Sequence, residues 1–326
     1  MIIVQKPEQT SGQETAITMG FFDGVHSGHK ELIQRVLKSA EINNLKSAVL
    51  TFWPHPRLVL KKDPEKLRFL TTLNEKWKII SRLNIDYLII QEFTPSFYNL
   101  EPEDFIRYLV KNYHMKYIVV GSDHRFGKEG KGDATLLRKL GKEMNFTVEV
   151  VEQLSVDSQH ISSTKIREAL LNGNIEKANI MLGYPYFLTG TVESGKQLGR
   201  KIGFPTANIR PNDPLKLIPK EGVYAVVINI GNEIKFGMLN IGFRPTVDTF
   251  QKQTIEVNIF DFDKDVYQEN IEVAFIKRLR NEKRFPSIEH LKDSLVKDKE
   301  DALNALKDQK KESLQNLFLT LRPVKE

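Results

Sequence analysis

The sequence contains no cysteine among its 326 residues. Disulfides, thiolate nucleophiles and cysteine-held metals are therefore excluded. It also lacks any apolar run of the ~18 residues that a membrane helix needs, so no membrane partner is expected. The opening segment turns polar after Val4 and does not show the basic-then-apolar order of a secretory signal. A cytoplasmic protein is the expectation. A basic block interleaved with aromatics is missing as well: the most basic stretch, 277–284, is broken by Leu279 and Glu282. The net charge of +6 therefore suits phosphorylated small molecules better than nucleic acid. What is present is ordinary: 40% hydrophobic and 28% charged residues, enough for two domains with normal cores.

Hydrophobic periodicity divides the chain. In the first half, strand-like runs at 16–20, 47–52, 87–90, 117–120 and 147–151 alternate with helical periods at 30–43, 74–83, 102–113 and 134–144. Strands alternating with helices predict a parallel sheet covered on both faces, with ligands at the carboxyl ends of the strands. Two more helices are expected at 164–171 and 175–182. After Gly183-Tyr184-Pro185 the pattern changes to short alternating runs over 186–276. Runs at 223–230 and 233–240 flank Gly231-Asn232, a hairpin signal. Further strands are expected at 254–260 and 271–276. This half predicts a small antiparallel barrel, followed by a charged helical stretch over 287–319. The fold class is thus α/β with a Rossmann-like parallel-sheet domain, then an antiparallel β-barrel domain and a C-terminal helix.

The strongest local signal is Gly20-Phe21-Phe22-Asp23-Gly24-Val25-His26-Ser27-Gly28-His29, between the first strand and the first helix. His26 and His29 are three apart, and Gly28 between them lets backbone approach a ligand. Unpaired N–H groups at a helix start favour phosphate, and imidazoles can donate to developing charge there. A second string, Ile161-Ser162-Ser163-Thr164-Lys165-Ile166-Arg167, sets hydroxyls and an arginine at a helix start. As residues alone, Ser162 and Ser163 read equally well as N-caps. Later comes Gly199-Arg200-Lys201-Ile202-Gly203-Phe204-Pro205-Thr206-Ala207-Asn208. Thr206 and Asn208 offer hard oxygen ligands and, two apart on an extended segment, face the same way. On strand alternation Glu256 shares a face with Thr254 and Asn258, opposite Ile255, Val257 and Ile259.

Two patterns are rejected. Gly190 to Lys196 imitates a phosphate-binding loop, but Gln197 stands where Ser or Thr is required. Asp261-Phe262-Asp263-Lys264-Asp265 begins like a calcium loop, but Val266 occupies the position of the turn glycine. A hairpin connection is expected there.

His26-Ser27-Gly28-His29 and the 161–167 string resemble the two signatures of the nucleotidylyltransferase superfamily. Thr51-Phe52-Trp53-Pro54-His55-Pro56 and Val120-Gly121-Ser122-Asp123-His124-Arg125-Phe126-Gly127 resemble its flavin-specific members. The 199–208 string is similar to the riboflavin kinase signature, and 239–246 and 254–260 match that family in order. Together, over roughly 15–301, the chain resembles the bifunctional riboflavin kinase/FAD synthetases. The resemblance implies an FMN adenylyltransferase domain over 1–183 and a riboflavin kinase domain over 184–326. It implies riboflavin, FMN and ATP as ligands, FMN and FAD as products, Mg²⁺ as cofactor, and neither nucleic acid nor membrane as partner. It makes Glu256 a general base, and it makes His26, His29 and Arg167 the groups that stabilise charge in adenylylation. It assigns ATP to Gly20, Phe21, Phe22, Gly28, Asp123, Ser163 and Thr164 in the first half, and to Gly199 and Lys201 in the second. It assigns flavin to Pro54, His55, Pro56 and Arg125, and to Phe204 and Arg244, with the metal on Thr206 and Asn208. Phe21 stands where the family usually has Asn, Trp53 where it has Glu, Gly130 where it has a basic residue, Leu198 where it has Arg, and Asn258 where His is common.

Two rivals are weighed against this. A cytidylyl- or pantetheine-type transferase fused to a kinase does not account for the 199–208 string. A binding protein with dead sites does not account for intact His26, His29, Thr206, Asn208 and Glu256.

Overall fold

A computed structural model describes residues 1–61, 67–156, 159–194, 199, 202–231, 233–244 and 252–309. The chain divides into two compact units, Met1–Ser162 and Ser163–Glu326.

The first unit is a six-stranded sheet in the order β1-β4-β3-β2-β5-β6. Its strands are β1 (Ile2–Val4), β2 (Thr15–Met19), β3 (Lys46–Trp53), β4 (Tyr87–Glu92), β5 (Met115–Gly121) and β6 (Thr147–Val151). Every pairing between them is parallel. The helices are α1 (Ser27–Asn43), the short α2 (Pro56–Val59), α3 (Leu73–Ser81), the short α4 (Pro95–Tyr98), α5 (Pro102–Tyr113) and α6 (Ala134–Met144). Local chemistry sets their ends. Pro102 opens α5 at N1, Asp133 caps α6 by accepting from Leu136 N at 2.9 Å, and Thr72 with Glu75 closes a capping box on α3. Every residue of β2 is buried, as expected of a central parallel strand. One face packs Ile17, Met19, Leu50, Ile89 and Ile118 against Phe105, Ile106 and Leu109 of α5 and Leu137 and Leu140 of α6. On the other, Ala16 and Val119 meet Val36 and Ala40 of α1. The chain steps from β2 outward through β3 and β4, then returns to β5 on the far side of β2. The switch point lies between β2 and β5, and the segments that leave their carboxyl ends are the two motif loops, 20–29 and 121–127. A two-stranded hairpin, β7 (Ser155–Val156) with β8 (Gln159–His160), completes the unit.

The second unit begins with α7 (Ser163–Leu171) and α8 (Ile175–Leu182). Asn179 on α8 donates to the Phe275 carbonyl at 2.9 Å and accepts from Tyr186 N at 2.7 Å, which fastens the helix to the barrel. The barrel is closed in the order β10-β13-β12-β11-β14-β9. Its strands are β9 (Phe187–Glu193), β10 (Ala207–Pro211), β11 (Gly222–Ile230), β12 (Glu233–Arg244), β13 (Lys252–Ile259) and β14 (Asn270–Arg280), all neighbours antiparallel. The C-terminal helix α9 (Ile288–Leu306) follows; it ends short of the expected 307–309, which form a turn, and the expected helical residues 310–319 lie outside the described residues.

Three expectations are corrected. β1 is an addition to the expected strands, because three residues carry no period. β9 and β10 are separate strands within what the pattern presents as one alternating stretch, and β9 contains the rejected loop's Gly190. Asp261–Asp265 is not a hairpin: β13 lies between β10 and β12, and β14 between β11 and β9, so the segment joins strands that are not neighbours. The 231–232 hairpin holds, since β11 and β12 pair from Gly222↔Ile241 to Ile230↔Glu233, although Asn232 is outside the described residues.

Candidate active sites

In the first unit the loop after β2 is held in an unusual conformation. Phe22 and Val25 have φ of 48° and 37°, which for non-glycine residues requires the surroundings to enforce it. Asp23 does so. Its carboxylate accepts from Leu70 N at 3.2 Å and Thr71 N at 3.0 Å, while Gly24 N donates to Thr71 Oγ1 at 2.9 Å. The loop delivers His26 as N-cap of α1, its Nδ1 accepting from His29 N at 3.3 Å. Accepting at Nδ1 leaves the neutral ring's proton on Nε2. The two imidazoles stack, with centroids 3.6 Å apart. A Cβ at Gly28 would stand 3.3 Å from the His26 ring, so glycine there allows the ring to fold over the helix start. Burial pushes His26 down to about 4 against the opposing charges of Asp23 and Asp123. Burial, with His26 and Lys76 adding to it, pushes His29 well below the usual range. Both are neutral donors at neutral pH. His29 Nδ1 is buried with no hydrogen-bond partner.

Beside this pair lies an aromatic cluster at the ends of β2 and β3. The Phe21 ring, 38% exposed, is 5.4 Å from Phe52 and 5.1 Å from His55. His55 and Trp53 both approach Phe69, at 5.5 and 5.7 Å.

In the second unit a cross-strand row is read from the register. Asn208 pairs with Glu256, Glu256 with Asn240, Asn240 with Val223, and Val223 with Arg280. Directly paired residues point to one side of a sheet. Ile255, Val257 and Ile259 fill the opposite side at 4%, 1% and 8% exposure. The row therefore lies on the barrel's outer face. Helix α9 covers it, leaving a cavity of about 280 Å³ bounded by Thr206, Asn240 and Glu256 and by Leu291, Leu295 and Asp298 of the helix. Asp298, 2% exposed, takes a two-pronged hydrogen bond from Arg280, at 2.7 and 2.6 Å. Asn258 Nδ2 donates to the Pro205 carbonyl at 2.6 Å and so anchors the Pro-Thr-Ala-Asn entry on β13. Phe204 N donates to the Gly199 carbonyl at 2.8 Å, and a side chain at 199 would collide with the Phe204 carbonyl.

The structure brings Gly20, Phe21, Phe22, Gly28, His26 and His29 together on one strand-to-helix connection. Pro54, His55 and Pro56 follow β3, with His55 capping α2. Asp123 and Arg125 follow β5, the latter paired with Asp133 at 3.5 Å. Thr206, Glu256, Phe204 and Gly199 line the cavity, with Asn208 opposite Glu256 in register. Ser163, Thr164 and Arg167 lie on α7, in the second unit. Arg244 is the last residue of β12; Lys201 lies outside the described residues. Sequence reading misses Lys76, Asn240, Arg280 and Asp298. Continuing the alternation of 233–240 would find Asn240; the others carry no local signal.

A family model described as FAD synthetase matches residues 8–165, and one described as riboflavin kinase matches 182–306. The chain is 40% identical over 285 residues to a bifunctional riboflavin kinase/FMN adenylyltransferase of Listeria monocytogenes, covering 87% of this chain and 90% of that one. To the protein of the same name from Escherichia coli K12 it is 38% identical over 294 residues, covering 89% and 92%. A crystal structure described as a macrolide-efflux protein from Streptococcus pneumoniae superposes with a TM-score of 0.85 at 31% identity, covering 93% of this chain and 98% of that one. Among the described residues here, no helix is long and apolar enough to cross a membrane.

Proposed function

This chain belongs to the bifunctional riboflavin kinase/FMN adenylyltransferase family, and on that premise we propose that its two sites act in sequence, the barrel cavity making FMN and the histidine loop making FAD. In the cavity Glu256 takes the proton of the ribityl 5′-hydroxyl as that oxygen attacks the γ-phosphorus of ATP. The γ-phosphorus to bridging-oxygen bond breaks and ADP leaves. At the histidine loop a phosphate oxygen of FMN attacks the α-phosphorus of a second ATP. The α–β bridge breaks and pyrophosphate leaves. His26 and His29 donate hydrogen bonds to the charge gathering on the α-phosphate, and no side-chain nucleophile is needed. The roles of Ser163, Thr164 and Arg167 at the triphosphate rest on the resemblance alone, as does the catalytic boundary at 183/184.

Mg²⁺ fits the donors present. Among the described residues, no group of three or more His, Cys, Asp or Glu is placed to hold a metal. Mg²⁺ bound to nucleotide needs only one or two protein oxygens besides phosphate and water, and Thr206 and Asn208 offer them beside Glu256. Bound there, it would neutralise phosphate charge.

The observation that most supports this division is the difference in chemistry between the sites. The cavity offers the carboxylate of Glu256, with Asn208 and Asn240 beside it in register. The loop offers neutral imidazoles, and its own carboxylate, Asp23, is engaged by backbone donors. The aromatic cluster of Phe21, His55, Phe69 and Trp53 suits a planar ring such as the flavin's. The test is incubation of the protein with riboflavin and Mg-ATP, with FMN and FAD separated by chromatography. Both products are expected, FMN first. A protein that makes FMN but no FAD, even from supplied FMN, would leave the loop without this function.

A further inference from the structure

Helix α3 carries a buried lysine that the reactions above leave without a task. Lys76 is 5% exposed, on a helix that also buries Ile79 and Ile80. Its Nζ donates to Thr51 Oγ1 at 3.3 Å, and that hydroxyl donates onward to the Phe21 carbonyl at 3.3 Å. Burying an ammonium is unfavourable, and a neutral hydroxyl offsets little of it; an apolar side chain would pack there without desolvating a charge. Such a group at the edge of a reaction site is a candidate for function. Its charge bears on His29, and Asp23 is the acid that supports it.

We propose that Lys76 is a positioning residue for FAD formation: linked through Thr51 to the Phe21 carbonyl of the histidine loop, its ammonium supplies positive charge to the site where negative charge develops on the attacked phosphate. This role rests on the assignment of adenylyl transfer to the histidine loop. The charge acts through the imidazoles. It favours the neutral, donating form of His29 and adds to the field that stabilises the transition state. The charged groups that act on Lys76 or on the histidine pair are Asp23 from the loop after β2, Asp123 from the loop after β5 and Lys30 at the start of α1, with Glu75 beside Lys76 on α3. Asp23 is held by the backbone of Leu70 and Thr71, and Glu75 by its box with Thr72. Arg82 acts on Lys30. Burial lowers Lys76 to about 8 and Lys30 to about 8, so two lysines lose charge over one range and the test must separate them.

The experiment measures kcat/KM for FMN in FAD formation by the full-length enzyme, from about pH 7 to about 9.5. Wild type is expected to lose activity above about pH 8. Lys76→Met should be about 10- to 100-fold slower at neutral pH, the loss typical of removing an outer group that orients a site, and flat across the range. Lys76→Arg, which keeps its charge throughout, should recover most of the activity and also be flat. Lys30→Met should retain the alkaline fall. FMN formation from riboflavin should be unchanged in all of them, and the Lys76→Met protein should melt no lower than wild type. Wild-type activity in Lys76→Met, or a slower enzyme that keeps the alkaline fall, would overturn the role and leave Lys76 a packing residue. Wild type that forms no FAD would overturn the assignment of the loop itself.

Discussion

General-base help is typically worth about 10²–10⁴ in rate, so Glu256→Gln should cut FMN formation by that factor. The substitution keeps shape and hydrogen bonding but cannot accept the proton. KM for riboflavin should change little, because the loss falls on the transition state, and FAD formation from supplied FMN should be untouched. Turnover above about a tenth of wild type would make Glu256 a group that orients rather than one that takes a proton. Asn258 sharpens this test. On the resemblance it replaces a common His, and its amide is committed to the Pro205 carbonyl. In the first unit, His29→Ala removes a neutral donor. Loss of one such donor typically costs about 10²–10³ in rate, so FAD formation should fall by that order while FMN formation persists. Equal loss of both activities would point to misfolding.

Helix α9 is the element that turns an outer barrel face into a cavity, and the Arg280–Asp298 pair is its fastening. Both atoms of the Asp298 carboxylate are used, and Arg280 also lies over the Phe285 ring, 5.7 Å from its centroid. Removing one partner of a buried pair strands the other and typically costs about 3–5 kcal/mol. Arg280 keeps a side-chain exposure of 23%, which places Asp298→Ala near the lower end. The expected outcome is a lower urea midpoint for the barrel, a raised KM for riboflavin and unchanged FAD formation from FMN. An unchanged KM would detach the helix from the kinase site.

For the whole molecule, the boundary between the two units at 162/163 predicts where the chain can be cut. A fragment of residues 163–326 retains the Asn179 link from α8 to β14. It should be soluble and make FMN but no FAD. A fragment of residues 186–326 loses that link and should be less stable at equal chemistry, read by urea melts and kinase assays. A 163–326 fragment that folds without kinase activity would show that the site is incomplete there. Acid stability is also predicted. His26 is lowered to about 4 in the folded protein, whereas the unfolded chain takes that proton near 6.5. Between those values the unfolded state binds more protons, so stability is full above about pH 6.5 and is lost as pH falls toward about 4. The contribution is at most about 3 kcal/mol. His26→Asn, which keeps a capping side chain, should recover part of the loss when melts at about pH 7 and about pH 5 are compared.

Helices α5, α6 and α8 are legible to the residue in the linear sequence because their ends are written in local chemistry. Pro102, the Asp133 cap and the left-handed stops at His114, Asn145 and Gly183 act within one turn. The histidine loop is legible for the same reason: its residues are contiguous, between one strand and one helix. The side of β13 that Glu256 occupies follows from alternation, which is a property of any strand. The identity of its neighbours does not. Register decides that Asn208 and Asn240 flank it, and register is set by pairing among strands far apart in sequence. The same holds for Lys76. Its helix is read from periodicity, but only the packing of α3 against β3 aims that one lysine inward, toward Thr51. Arg280 and Asp298 are eighteen residues apart on a strand and a helix, and they meet because α9 folds back over the barrel. Local capping and periodicity were thus enough for the elements and the motifs. Long-range pairing and packing alone decided which charges share a site, because electrostatic contacts depend on distance in space and not along the chain.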